Sequence, residues 1–314
     1  MKLHTLTTGM ALGALALGLS AVAQNTHPNE NQGQGKAVVT ILPAHDRAEA
    51  PATISAQDLS IKIGGKESAV TGFTSASNSP LELVILLDSG ARTSISTQLG
   101  DIRKFVQTLP PSSKVAIGYM QNGISRLTGP LTADRDAALK GLHIPAGMQG
   151  ENASPYFCLS DLAKRWPSSD RSARREVVMI TDGVDSYHPG MDLDDPYVDA
   201  AIHDAAHAGL VVYSIYWQNR GRYDQTMVGS ASGQDLLLQV TKATGGNSYW
   251  VGTGNPVSFQ PYFKDLARRF QNQYELSFTA ALRNRAQLED LKLKVNGISG
   301  KVDAPGQVYV TPSI

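Results

Sequence analysis

The chain has 314 residues, 41% of them hydrophobic and 18% charged, with 28 basic and 28 acidic side chains and a formal net charge of zero. This suits one large core with a smaller satellite and excludes a fibrous or wholly disordered chain. The balanced charge, with no basic stripe, gives no electrostatic reason to expect nucleic acid as a partner, and the single cysteine, Cys158, excludes an intrachain disulfide.

The first 23 residues read as a targeting segment. Lys2 supplies the positive end, Met10 to Val22 the apolar run, and Ala21-Val22-Ala23 the small-x-small cleavage pattern. About 13 apolar residues fall short of the roughly 20 that cross a bilayer. No cysteine stands at the cleavage point to carry a lipid. The expectation is a secreted or periplasmic protein, cleaved near Ala23, with no membrane span in the mature chain. Residues 24–35, polar and rich in Gly, Asn and Gln, are expected to form a disordered leader.

Short β-like runs occupy 36–79: Val38–Leu42, Leu59–Ile63 and Ser68–Phe73, with Gly64-Gly65 as a hairpin turn. After Pro80, strand and helix alternate. Leu83–Asp88 is an unbroken aliphatic strand, followed by a helix over about Ser94–Leu109 that Pro110-Pro111 stops. Val115–Met120 and Ile124–Leu127 flank Gln121-Asn122-Gly123 and should pair antiparallel. Helical patterns follow near Ala133–Leu142 and Tyr156–Trp166. The Val177–Thr181 strand leads through an acidic loop to a helix over about Tyr197–Ala208, and Leu210–Trp217 is another buried strand. A helix near Gln234–Ala243, a short strand at Ser248–Val251 and a helix over Val257–Gln271 complete the alternation. Tyr274–Thr279 and Leu291–Val295 then alternate strictly, as strands do. The expected fold class is α/β, a doubly wound, mostly parallel six-stranded sheet with one antiparallel edge strand over 80–272. A small β-rich subdomain is expected from the flanks 36–79 and 273–314, paired with each other.

Two of the unbroken strands end on aspartates, Asp88 and Asp182, each followed by a turn signal. Ligands of such sheets collect at the carboxyl ends of the strands. The segments Pro80–Asp88 and Val178-Met179-Ile180-Thr181-Asp182-Gly183, in this element order, resemble the von Willebrand factor type A domain over about residues 80–272. Ile54–Lys66 and Gln273–Thr279 look like the segments that precede and close that domain in an exported acidobacterial family. The resemblance implies a metal-ion-dependent adhesion site: Asp-x-Ser-x-Ser after the first strand, a Thr on a middle loop, and the Asp of Thr-Asp-Gly. Such hydroxyls and carboxylates suit Mg²⁺, with an acidic partner side chain completing the octahedron.

Here the first motif reads Asp88-Ser89-Gly90-Ala91-Arg92, so Gly90 and Arg92 stand where the two hydroxyl ligands belong. Ser154 falls nearest the Thr, and Asp182 is kept. The expected ligand-binding residues are Asp88, Ser89, Gly90, Arg92, Ser154, Asp182 and Asp185. Any metal would rest on Asp88, Ser154 and Asp182 alone. The guanidinium of Arg92 is expected to replace the cation by bidentate hydrogen bonds to the aspartates. No cofactor is then needed, and at most weak Mg²⁺ or Ca²⁺ binding remains.

Other constellations compete. The loop holding Asp182, Asp185, Asp192, Asp194, Asp195 and Asp199 lacks EF-hand order and reads as a solvated acidic loop, with Asp195 or Asp199 starting the next helix. His203-Asp204-Ala205-Ala206-His207 puts two histidines on one helical face, but Asp replaces the zinc-protease Glu and no third ligand follows. Gly229-Ser230-Ala231-Ser232-Gly233 carries Ala at the nucleophile position of a hydrolase elbow, and Cys158 reads as a core residue. Tyr187, Tyr216, Trp217 and Tyr223 fall at or beyond strand ends, as packing residues or as a binding rim. The expected function is an exported, non-enzymatic module for a protein or peptide partner. A metal-dependent hydrolase using the acidic loop with His203 and His207 is the competing reading, and an inert scaffold a third.

Overall fold

The computed structural model describes residues 32–43, 54–77, 79–147, 153–188, 194–220, 226–252, 254–282, 285–297 and 300–313. The expected targeting segment lies outside them. Two sheets organise the chain. The first contains β5 (Leu81–Asp88), β6 (Lys114–Gln121), β7 (Ile124–Leu127), β8 (Arg174–Thr181), β9 (Leu210–Tyr216) and β10 (Ser248–Tyr249), in the order β10-β9-β8-β5-β6-β7. All neighbours are parallel except the β6–β7 hairpin, whose turn places Asn122 and Gly123 at φ 50° and 74°. The expected mostly parallel six-stranded sheet with an antiparallel edge is therefore present, as the resemblance to the type A domain implies.

Every residue of β5 and β8 is buried, because helices cover both faces. Leu83, Ile85 and Leu87 point to one face, where α1 (Leu99–Thr108) and α6 (Gln260–Gln271) bring Ile102, Phe105, Phe263 and Phe270. The rings of Phe105 and Phe263 stack at 4.4 Å. Val84 and Leu86 point to the other face. There α3 (Pro155–Lys164), α4 (Pro196–Ala208) and α5 (Met227–Ala243) supply Tyr156, Leu159, Val198 and Leu236. A short α2 (Arg135–Leu139) completes the helices.

The α5 helix starts seven residues before the expected Gln234, so its first turns are the Gly229–Gly233 run. Gly and Ser are poor helix formers, but here the small side chains let the helix approach the end of β8. Gly183, at φ 74°, lies against Gly233, and a Cβ on Gly233 would run into the Asp182 carbonyl. The Thr226 side chain caps this helix by accepting from the Gly229 amide at 2.9 Å.

The second sheet joins both flanks, as expected, but with eight strands it is larger than the small subdomain anticipated. It contains β1 (Gln32–Pro43), β2 (Leu59–Ile63), β3 (Lys66–Ser68), β4 (Val70–Ser75), β11 (Gln273–Ala281), β12 (Gln287–Val295), β13 (Gly300–Asp303) and β14 (Gln307–Pro312). β1 pairs with β11 antiparallel from Gln32↔Ala281 to Thr40↔Gln273. Gln32 to Gly35 thus belong to a strand, not to the expected disordered leader. Their polar composition misleads because the long register with β11 supplies backbone partners whatever the side chains are. β11 leaves α6 almost directly, and Arg269 on α6 bonds to Asp265 at 2.7 Å and to Asp303 of β13 at 2.8 Å, tying the two sheets together.

Candidate functional site

In chain order the six strands of the first sheet lie 3-2-1-4-5-6, so the winding reverses between β5 and β8. The crevice at such a switch point is where ligands bind. Asp88 ends β5 and Asp182 follows β8, so the sequence expectation places both residues at this crevice.

Both carboxylates are buried, at 7% and 0% exposure. Asp88 Oδ1 accepts from the Gly90 amide at 2.8 Å, which turns the chain sharply after β5. Its Oδ2 accepts from the Thr181 hydroxyl at 2.8 Å. Asp182 Oδ1 accepts from the Val184 amide at 3.1 Å. The group between them is Asn219: its Nδ2 donates to Asp88 Oδ2 at 3.0 Å and to Asp182 Oδ1 at 3.1 Å, while its backbone N–H reaches Asp182 Oδ2 at 3.3 Å. The NH₂ end of the amide thus faces both carboxylates, each of which accepts one of its hydrogens. Asn219 is 1% exposed, and its Oδ1 is buried with no hydrogen-bond partner.

The cation role assigned to Arg92 is therefore corrected. Arg92 Nε donates to the Asn219 carbonyl at 3.2 Å, and its backbone amide to the Gln218 carbonyl at 3.1 Å. Among the described residues no ion pair joins it to Asp88 or Asp182. The reason is tertiary. The loop after β9 crosses the loop after β5, with Ala91 bridged to Asn219 and the Arg220 amide donating to the Gly90 carbonyl at 3.0 Å. Arg220 Nη2 clamps the same loop through the Ser89 carbonyl at 3.0 Å and the Gly147 carbonyl at 2.9 Å. This inserts Asn219 between the acids and turns Arg92 onto its backbone. The sequence signal for Asn219 was its place just beyond a buried strand next to β8.

Ser154 caps α3, its Oγ accepting from the Phe157 amide at 3.4 Å. It shares with Asp88 a cavity of about 10 Å³ that Cys158 and Val184 also line, room for about one water. Asp185 Oδ1 accepts from the amides of Tyr187 at 2.9 Å and His188 at 3.2 Å, while Oδ2 is buried without a partner. Burial raises its pKa, against the lowering effect of those amides and the Ser154 hydroxyl. Asp88, Ser89, Gly90, Ser154, Asp182 and Asp185 are thus brought to one end of the sheet, with Arg92 behind Asn219.

Gly90 and Arg92 offer no hydroxyl, and an amide donor bridges the carboxylates where a cation would sit. His203 and His207 do not join the site: His207 packs on the Tyr309 ring at 4.3 Å, and no group of three or more metal-ligating side chains exists among the described residues. Asp195, not Asp199, starts α4, accepting from the amides of Tyr197 at 2.8 Å and Val198 at 3.3 Å. Tyr216 and Trp217 are core residues at 0% and 2% exposure, so they form no rim. Tyr187 is 47% exposed, its ring 5.3 Å from that of Tyr197; Tyr223 lies outside the described residues. Cys158 is buried, as expected of a core residue, and burial with the charges of Asp88 and Asp161 pushes its thiol pKa up.

Fold and site together define a doubly wound α/β domain whose switch-point aspartates are bridged by an amide. No protein-family model matches the chain, and no curated protein matches its sequence. Solved structures of similar shape include a von Willebrand factor type A protein from Catenulispora acidiphila, 13% identical with TM-score 0.46, covering 90% of this chain and 74% of that one. An aerotolerance-related membrane protein from Bacteroides fragilis is 18% identical with TM-score 0.43, covering 60% of this chain and 98% of that one. The manganese-loaded Plasmodium vivax TRAP protein is 11% identical with TM-score 0.39, covering 76% and 97% respectively. Among the described residues no helix is long and apolar enough to cross a membrane.

Proposed function

We propose that this chain is an exported, non-enzymatic module that binds a protein or peptide at the carboxyl edge of its type A sheet, and that it does so without a divalent ion. The observation that carries the reading is the Asn219 amide, 3.0 Å from Asp88 and 3.1 Å from Asp182. It donates to both carboxylates from the space between them, the place that a cation would otherwise take. Apolar side chains at the same edge support a docking role. Met227, at the start of α5, is 79% exposed, and Val251, just beyond β10, is 61% exposed. Tyr187 joins them, and exposed apolar and aromatic groups at a strand-end crevice are what partners anchor on.

The test has two arms. Calorimetric titration with Mg²⁺, Ca²⁺ and Mn²⁺ should give no stoichiometric binding. A photo-crosslinking residue in place of Met227 should trap a discrete partner with or without EDTA, and one in place of Arg171, at the other end of the sheet, should not. Chelator-sensitive crosslinks would end the metal-free reading, and equal labelling from both positions would end the assignment of the binding edge.

A further inference from the structure

A cavity lies at the end of the sheet away from Asp88 and Asp182, and we infer that it is a binding site for a small amphipathic anion, a carboxylate with an apolar body. Its volume is about 500 Å³, within the range of roughly 300–1,000 Å³ typical of small-ligand sites. It opens between the first residues of β8 and β9 on one side and β1, β11 and β14 on the other. With eight residues in β8 at about 3.3 Å each, it is roughly 25 Å from the aspartates.

Charge selects the ligand. Lys36, Arg171, Arg174 and Arg175 line the cleft against one acidic side chain, Glu275, in a chain of zero net charge. Arg174 and Arg175 are 4% and 5% exposed, and neither has a carboxylate in ion-pair contact among the described residues. Arg174 donates to the Phe270 carbonyl at 3.0 Å and to Gln273 Oε1. Arg175 donates to the carbonyls of Ser168 and Asp170, both at 3.0 Å. The Nε of each is buried with no hydrogen-bond partner. Two guanidinium charges whose hydrogen bonds go to neutral acceptors, offset only in part by Glu275 beside Arg174 and by Glu82 and Asp170 near Arg175, focus positive potential into the space beside them. The remaining walls are largely apolar, with Ala173, Leu210, Val211, Phe278 and Val308. A bare inorganic anion would leave that apolar surface wet, whereas a carboxylate on an aliphatic chain uses both features.

The lip provides variants that spare the core. Lys36 and Arg171 are exposed and make no ion pair among the described residues, so reversing their charges leaves the packing intact. Calorimetry on the full chain would use decanoate, decanol and inorganic phosphate as probes. Decanoate should bind one to one. Decanol and phosphate should each bind at least about tenfold more weakly, and the K36E/R171E double variant should lose about tenfold for decanoate with decanol unchanged. The same thermal melting curve for variant and parent confirms that the fold is kept. The inference is overturned if decanoate gives no saturable heat, if decanol or phosphate binds as well, or if the double variant keeps its affinity for decanoate.

Discussion

Glu176 allows a quantitative test of how the two sheets meet. It lies on β8, fully buried, with Oε1 accepting from Gln273 Nε2 at 2.8 Å and Oε2 without a partner. Gln273, the first residue of β11, also donates to the Tyr213 hydroxyl at 3.2 Å and accepts from Arg174. Burial pushes the Glu176 carboxyl up from 4.5 to about 8, against the lowering effect of Arg174 and the hydrogen bonds. The native state therefore holds a proton that the unfolded chain releases above about pH 4.5. The stability contributed by the neutral acid is complete below that pH and is lost as pH rises to about 8. The slope is about 1.4 kcal/mol per pH unit, or about 5 kcal/mol across the whole window. Glu176→Gln removes the titration while keeping size and an acceptor. Urea unfolding of parent and variant at a series of pH values from 5 to 8 gives the difference in stability at each. That difference should move in favour of the variant by about 1 kcal/mol per pH unit or more. Only the slope is diagnostic, because the amide NH₂ adds a constant cost at every pH. Parallel profiles would refute a neutral, buried Glu176.

Removing the bridge with Asn219→Ala deletes two hydrogen bonds to carboxylates and should lower stability by about 3 kcal/mol. Arg92→Ala, which loses a bond to a backbone carbonyl, should cost only about 1 kcal/mol; both are read from denaturant midpoints. Gly233→Ala drives a methyl into the Asp182 carbonyl and should destabilise by about 3 kcal/mol, seen as a lowered Tm. Arg269→Ala leaves Asp303 to Lys301 and Asp265 to the Tyr249 hydroxyl and Arg268 and should cost about 2 kcal/mol, with hydrogen exchange quickening first in β13. Cys158 should resist a thiol reagent in the native protein and react on unfolding, since it is buried and its thiol pKa is raised.

The sequence by itself determined the α/β alternation, because unbroken aliphatic runs such as Leu83–Leu87 and Val177–Ile180 satisfy only strands covered on both faces. It also determined the antiparallel edge, since Asn122-Gly123 adopts the positive φ angles that a tight hairpin requires. Asp88 and Asp182 were legible for the same reason: residues that end adjacent parallel strands must arrive at one edge. The helical Gly229–Gly233 run was not legible, because its conformation depends on a close contact with Gly183 that local propensity does not encode. The polar start of β1 was hidden likewise, its strand character coming from β11, more than 230 residues later. Only the tertiary structure decided what lies between the two acids. Charge and spacing favoured Arg92, the nearest cation in sequence, but a guanidinium goes where backbone geometry sends it. The crossing of the loop after β9 over the loop after β5 gave that place to the Asn219 amide.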